Sequence, residues 1–293
     1  MKIKMAKISI KNIEEMMIEG LEKSVTELPK DVIEALRKAT TKEKDPGKIQ
    51  LKAILKNIEI ASKEKIPMCQ DTGIMTFYIE AGAEFKYFSS LKKILNNAVE
   101  KATKEIPLRP NTVNPFTHEN PGNNTGRHIP YINWNIVKGS ECTIHILPKG
   151  GGSENMSALW MLTPGEGFDE AKNLIVEHIK KAGGKPCPPT IVGIGIGGGA
   201  DICMNLAKKA LLRKIGERHK ERKIAKLEEE LIKLINKTGV GPMGMGGVTT
   251  VLDVHIEYAY RHPASFPVGL VLQCWAHRRK TIKISKNGSI KVI

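Results

Sequence analysis

"PTIVGIGIGGGADI", Pro189–Ile202, is the stretch on which the fold turns. Apolar and β-branched residues run into a series of glycines, and Gly193–Gly198 matches the G-x-G-x-x-G pattern of dinucleotide sites. That pattern belongs near the start of a βαβ unit, with an acidic residue ending a second strand about 20 residues on. Here the residues beyond Asp201 read as a helix, and a second, densely charged helix follows in "ERKIAKLEEELIKLIN", Glu221–Asn236. The nucleotide reading therefore fails. What remains is a strand entering a glycine loop whose backbone approaches something closely, because only glycine leaves the room.

Outward from this stretch the chain alternates helix and strand. "NIEEMMIEGLEKSVTEL" puts Ile13, Met16, Met17, Leu21, Val25 and Leu28 on one helical face, with Asn12 and Glu15 as a capping box. Pro29 opens a second helix, and a third spans about Gln50 to Lys63. "GIMTFYIEAG" reads as a strand and "SLKKILNNAVEKATKE" as an amphipathic helix. The aperiodic, proline-rich stretch "PLRPNTVNPFTHENPGNNTGRHIP" is long enough that it is functional or disordered. "YINWNIVK" and "ECTIHILPK" are strands, "GGGSEN" a loop, and "DEAKNLIVEHIKKAGG" a helix ended by a glycine pair. Two more strands, "GVTTVLDVHIEYAY" and "FPVGLVLQCW", precede a final hairpin around Asn287-Gly288. No repeat or linker divides the chain. The expected fold is α+β: a single mixed domain over residues 1–293, with a helical part at about 10–65, helices packed around β-sheets, and functional loops between elements.

Composition narrows the function classes. The 293 residues are 41% hydrophobic and 26% charged, an ordinary globular balance. No apolar run approaches the ~18 residues of a membrane span, and "MKIKMAKISI" lacks the apolar core and cleavage site of a signal peptide. The expected compartment is the cytoplasm. Formal charge is +15, from 46 basic and 31 acidic residues. The lysines are spread along the whole chain and aromatics are only 5%, so stacking platforms for single strands are scarce. A solvated basic surface ranks first, an anionic substrate second and nucleic acid a distant third.

The cysteines carry more information. None of the five forms a C-x-x-C pair, which speaks against a disulfide framework or a local zinc knuckle. Cys142 starts a strand and Cys203 sits in a helix, so both read as small buried hydrophobes. Cys69 in "IPMCQDTG", Cys187 in "GKPCPPT" and Cys274 in "LQCWAHRR" lie in loops or at a strand end. For these three, ligation or nucleophilic chemistry competes with burial, and spacing alone does not decide.

"PMCQDTG", "GKPCPPTIVGIGIGGGAD" and "FPVGLVLQCWAHRR", in that order, resemble the iron–sulfur hydro-lyases. More narrowly the chain resembles the alpha subunit, or N-terminal catalytic domain, of class I fumarate hydratase and L-tartrate dehydratase. The resemblance implies a [4Fe-4S] cluster held by Cys69, Cys187 and Cys274, with one iron left open as a Lewis acid. It implies that the glycine loop and the prolines let backbone pack against an inorganic cube. It assigns Gln70 to a substrate carboxylate, Asp71 to proton transfer or to orienting the group that performs it, and Arg109 to a carboxylate clamp. It places a backbone N–H of Gly152 and the ring of His262 against substrate, with His262 counted among the catalytic residues.

Each assignment has a plainer alternative. Asp71 is otherwise a turn residue bonded to its own backbone, Arg109 a surface charge, and His262 an ordinary turn histidine beside proline. Members of this class also carry a second domain with a catalytic threonine, and this chain ends at Ile293, soon after Cys274. The expectation is the two-subunit, archaeal-like form, in which a separate beta subunit completes the site of an oligomer acting on a small dicarboxylate. The implied activity is reversible hydration of fumarate to L-malate. L-tartrate dehydration to oxaloacetate is the alternative, and a non-catalytic metal-cluster subunit is the rival from another class.

Overall fold

A computed structural model describes residues 8–293, so most of the N-terminal stretch read for a signal peptide lies outside the described residues. Along the chain run α1 (Ile10–Thr26), α2 (Lys30–Lys42), α3 (Gly47–Glu64), β1 (Ile74–Gly82), α4 (Leu91–Glu105), β2 (Tyr131–Val137) and β3 (Cys142–Lys149). There follow α5 (Gly151–Glu154), β4 (Ala158–Leu162), α6 (Gly167–Ala182), β5 (Thr190–Gly198), α7 (Ala200–Ala210), α8 (Arg222–Asn236), β6 (Val251–Arg261), β7 (Phe266–Gln273), β8 (Lys280–Ile284) and β9 (Ile290–Val292). The α+β class is as expected. Among the described residues no helix is long and apolar enough to cross a membrane.

The elements gather into two compact units. The first comprises the N-terminal stretch through Leu28, Ile58–Gly150 and Arg278–Ile293. Its sheet has the order β2-β1-β3-β8-β9, with β1 parallel to β2 and the other pairs antiparallel. Ile13, Met17, Leu21 and Val25 of α1 and Ile94, Leu95, Ala98 and Val99 of α4 share a core with Phe77, Ile144 and Ile282. That is the apolar stripe the helical periodicity predicts. The N-cap differs from the reading: α1 begins at Ile10, and Ser9 Oγ accepts the Asn12 N–H at 3.2 Å. Serine in extended backbone supplies the cap oxygen one turn earlier than Asn12 would.

The second unit comprises Pro29–Asn57 and Gly151–His277. Its sheet has the order β4-β7-β5-β6, with β6 parallel to β5 and β7 antiparallel to it. Val192, Ile194, Val254, Ile256, Leu270 and Leu272 form the core with Ile175 and Ile179 of α6 and Leu231 and Ile235 of α8. The charge on α8 has a buried component: Glu228 pairs with Arg213 and accepts the N–H groups of Ile256 at 2.9 Å and His219 at 3.0 Å.

The glycines of β5 serve this packing. A Cβ at Gly193 would lie 2.0 Å from the Ala207 carbonyl oxygen, and one at Gly195 1.8 Å from that of Cys203. The close approach inferred from the sequence is real, but its partner at these two positions is α7. The expectation that they make room for an inorganic cube is corrected accordingly. Two further differences are local: "GGGSEN" contains the single-turn α5, and β4 follows it as a short strand whose burial alternates although its sequence is apolar throughout.

Candidate active site

In the first unit the α3–β1 loop carries Cys69, Gln70 and Asp71. Lys65, at φ +52°, turns the chain out of α3, and the Met68 N–H donates to the Val25 carbonyl at 3.0 Å. Cys69 is half-buried and Gln70 exposed. Asp71 Oδ1 accepts the Gly73 N–H at 3.0 Å and the Asn111 Nδ2 hydrogen at 3.1 Å. The first of these is the turn bond that the plainer alternative for Asp71 requires. Oδ2 points towards Gly150, where a Cβ would lie 2.9 Å from it. The Asp71 carbonyl accepts from Arg278 Nη1 at 2.9 Å, and Arg278 is 1% exposed. One carboxylate oxygen is thus spent on the turn, while the segment around it is fixed from two further directions.

Arg109 is tied to the same loop through its backbone. Its N–H donates to Thr72 Oγ1 at 3.1 Å and its carbonyl accepts from Asn124 Nδ2 at 3.1 Å, while the residue is exposed. The long aperiodic stretch is therefore organised, with asparagine side chains as its staples. Asn124 Oδ1 also accepts the Asn111 N–H at 2.7 Å, and Asn114 Oδ1 caps a turn by accepting the Phe116 N–H at 2.9 Å. Asn111, Asn124 and Arg278, which hold the candidate residues Asp71 and Arg109, were missed by the sequence reading.

In the second unit Cys187 and Cys274 come together. Ile191 of β5 pairs with Gln273 of β7, so the residues before β5 and after β7 share one end of the sheet. The Trp275 N–H donates to the Cys187 carbonyl at 3.2 Å. Both cysteines are half-buried, and Cys187 holds a left-handed φ of +54°. That conformation is uncommon for a residue with a Cβ and persists where surrounding structure imposes it. Gly152, exposed in α5, borders the same loop, since a Cβ there would meet the Lys185 carbonyl at 3.4 Å.

His262 lies elsewhere in this unit. Gly198 at the far end of β5 pairs with Arg261, so His262 follows β6 at the opposite sheet end. A nine-residue strand at about 3.3 Å per residue separates it from the cysteine pair by roughly 25 Å. The His262 ring accepts the Ala264 N–H at 3.1 Å, closing the turn into β7.

The thiols sort as their placement suggested. Burial pushes Cys142 up to about 12 and raises Cys203 as well, which keeps both as neutral thiols. None of the five cysteines is in a disulfide. Among the described residues no group of three His, Cys, Asp or Glu converges as ligands of a single ion would. A four-iron cube makes a different demand, one thiolate for each of three separate irons. The half-buried loop thiols of Cys187 and Cys274, whose loops are joined by the Trp275–Cys187 backbone bond, fit that demand, and so does the loop placement of Cys69.

Comparison with known proteins adds an independent finding. A profile of the family described as Fumarate hydratase (Fumerase) matches residues 14–283. The chain is 49% identical over 279 residues to a Methanocaldococcus jannaschii protein provisionally named L(+)-tartrate dehydratase subunit alpha, covering 93% of this chain and 98% of that one. It is 38% identical over 261 residues to the L(+)-tartrate dehydratase subunit alpha of Escherichia coli, covering 88% of this chain and 86% of the relative. The protein of the same name from Shigella boydii is 37% identical over the same share of both chains.

Proposed function

The chain belongs to the fumarate hydratase family, as its three cysteine motifs suggested, and from that premise we propose that it is the alpha subunit of a hydro-lyase hydrating fumarate to L-malate. The observation that carries the reading is the pairing of the Cys187 and Cys274 loops at one sheet end, in a chain matched to this family over most of its length. Cys69, Cys187 and Cys274 would hold a [4Fe-4S] cluster. When bound, such a cluster supplies a Lewis acid for the substrate hydroxyl and carboxylate.

The chain's own residues supply binding and proton handling. The Arg109 guanidinium grips one carboxylate of the dicarboxylate as a planar fork, and the Gln70 amide and the Gly152 N–H donate to substrate oxygens. The Asp71 carboxylate, whose Oδ2 faces Gly150, moves the proton at the substrate carbon or orients the group that does. In hydration that carbon gains a proton as its neighbour gains hydroxyl; in dehydration the same proton leaves. Gly150 guards this oxygen. Gly150→Ala should displace the carboxylate and lower kcat by about 10²-fold, since a 1 Å misplacement has that scale. Anaerobic kinetics with iron content checked test it, and unchanged kcat would show that Oδ2 is not at the reacting carbon.

A second reading, dehydration of L-tartrate to oxaloacetate, is favoured by the names of the relatives. Those names also support a partner chain, because the proteins are called subunits alpha. Five cysteines with no disulfide among them suit a reducing, cytoplasmic setting. The deciding experiment purifies the chain anaerobically with its partner and compares kcat/KM for L-malate and L-tartrate. Preference for L-malate, with the isolated chain nearly inactive, is the expected result. Preference for L-tartrate would establish the second reading, and full iron content without turnover of either would leave a structural cluster subunit.

A further inference from the structure

We propose that Glu43 is a positioning residue for Cys187, acting through the glycine-rich loop that precedes β6. The proposal rests on the reading of Cys187 as a cluster ligand. Glu43 follows α2 and is 4% exposed. Its Oε1 accepts the Thr249 N–H at 2.6 Å and the Val248 N–H at 3.0 Å, and its Oε2 lies 3.1 Å from the same Val248 nitrogen. Glycines leave room for this carboxylate. A Cβ at Gly247, where φ is +139°, would lie 2.5 Å from Oε2, and one at Gly47 would lie 3.2 Å from it.

The loop held in this way reaches the cysteine. It closes on itself, with the Gly246 N–H donating to the Val240 carbonyl at 2.9 Å and the Gly241 N–H to Thr250 Oγ1 at 3.1 Å. At its tip Met243, at φ +54°, donates its N–H to the Pro188 carbonyl at 2.7 Å. The backbone of Gly244 also packs against Gly184, where a Cβ on Gly244 would lie 2.5 Å from the Gly184 Cα. The tip therefore grips both sides of the turn containing Cys187. That turn is closed by the Cys187 N–H bond to the Gly184 carbonyl at 3.0 Å, and Cys187 itself sits at φ +54°. A left-handed cysteine needs such support, because its Cβ disfavours the conformation. Only a carboxylate offers acceptors on both oxygens; a glutamine would turn an NH₂ group towards one of the donors.

The test uses the full chain with its partner, purified anaerobically. Cluster lifetime under a chelator is followed in the intact enzyme. After the cluster is stripped, iodoacetamide labelling of each cysteine is timed by peptide mass spectrometry. In Glu43→Ala the Cys187 labelling rate should shift by about tenfold and cluster lifetime should shorten by about tenfold, as expected for losing charge-assisted bonds. Glu43→Gln should fall between Glu43→Ala and the parent. Gly247→Ala, which pushes on the carboxylate from the other side, should reproduce the Cys187 shift. Cys69 and buried Cys142 should keep their parental rates in every variant.

Cys187 rates within about twofold of the parent in Glu43→Gln and Gly247→Ala would overturn the proposal even if Glu43→Ala failed to fold. A parallel rise at Cys187, Cys69 and Cys142 would overturn it too, because that is general loosening rather than positioning. The ligand reading is separable: Cys187→Ser retaining full iron would refute that reading and leave the labelling result standing.

Discussion

Cys187→Ser, reconstituted anaerobically, should bind no [4Fe-4S] cluster and show no turnover, and Cys69→Ser and Cys274→Ser should behave alike. Cys142→Ser and Cys203→Ser should keep both cluster and activity. Iron binds the thiolate, and a serine hydroxyl does not ionise near neutral pH, so the variant loses an anionic ligand at almost unchanged volume. Serine has the same backbone freedom as cysteine, so the left-handed position of residue 187 and its turn should survive. The two controls follow from burial. With a thiol pushed up to about 12, Cys142 is ionised in only about one chain in 10⁵ at pH 7. Cys203, also raised by burial, donates its thiol hydrogen to the Ala200 carbonyl at 3.3 Å inside α7. Iron and sulfide content and the brown chromophore are the measurements. A full cluster in Cys187→Ser would remove that residue from the ligand set.

What the sequence made legible was whatever local pattern decides. The stripes of α1 and α4 and the turn at Asn287-Gly288 follow from residues a few positions apart. The loop placement of three cysteines was visible for the same reason, since neighbouring prolines and strand ends show directly. The supports of the site were not legible, because each depends on contacts between distant residues. Asn111 reaches Asp71 across 40 positions, and Arg278 across 207. No pattern singles out these two from the other asparagines and arginines. The β5 glycines show the same limit in another form. Period-two glycine announces a close backbone neighbour, but whether that neighbour is a helix or a ligand depends on where α7 lies. The role of the Gly241–Gly247 loop was not legible for a related reason. Its left-handed positions acquire meaning only from distant partners: Met243 from the Pro188 carbonyl it holds, Gly244 from Gly184 and Gly247 from Glu43.

Asp71→Asn should leave the cluster in place and lower kcat by about 10²–10⁴-fold, the usual worth of a positioned proton-transfer group. The bonds at Oδ1 and at the backbone survive this substitution. Oδ1, which accepts from Gly73 and Asn111, is retained as the amide oxygen, so the turn next to Cys69 keeps its closing bonds. The bond from Arg278 goes to the backbone carbonyl and is untouched. The change falls on Oδ2, which becomes an NH₂ group beside Gly150 and can no longer accept a proton. Arg109→Lys provides the contrast. The backbone bonds that tie residue 109 to Thr72 and Asn124 persist, while the planar fork is replaced by a point charge. Its effect should appear mainly as a higher KM. Anaerobic kinetics of both variants, with iron determined on the same samples, separate the two roles. If Asp71→Asn kept the parental kcat with a full cluster, Asp71 would serve the turn and its Asn111 bond, and proton transfer would belong to another group.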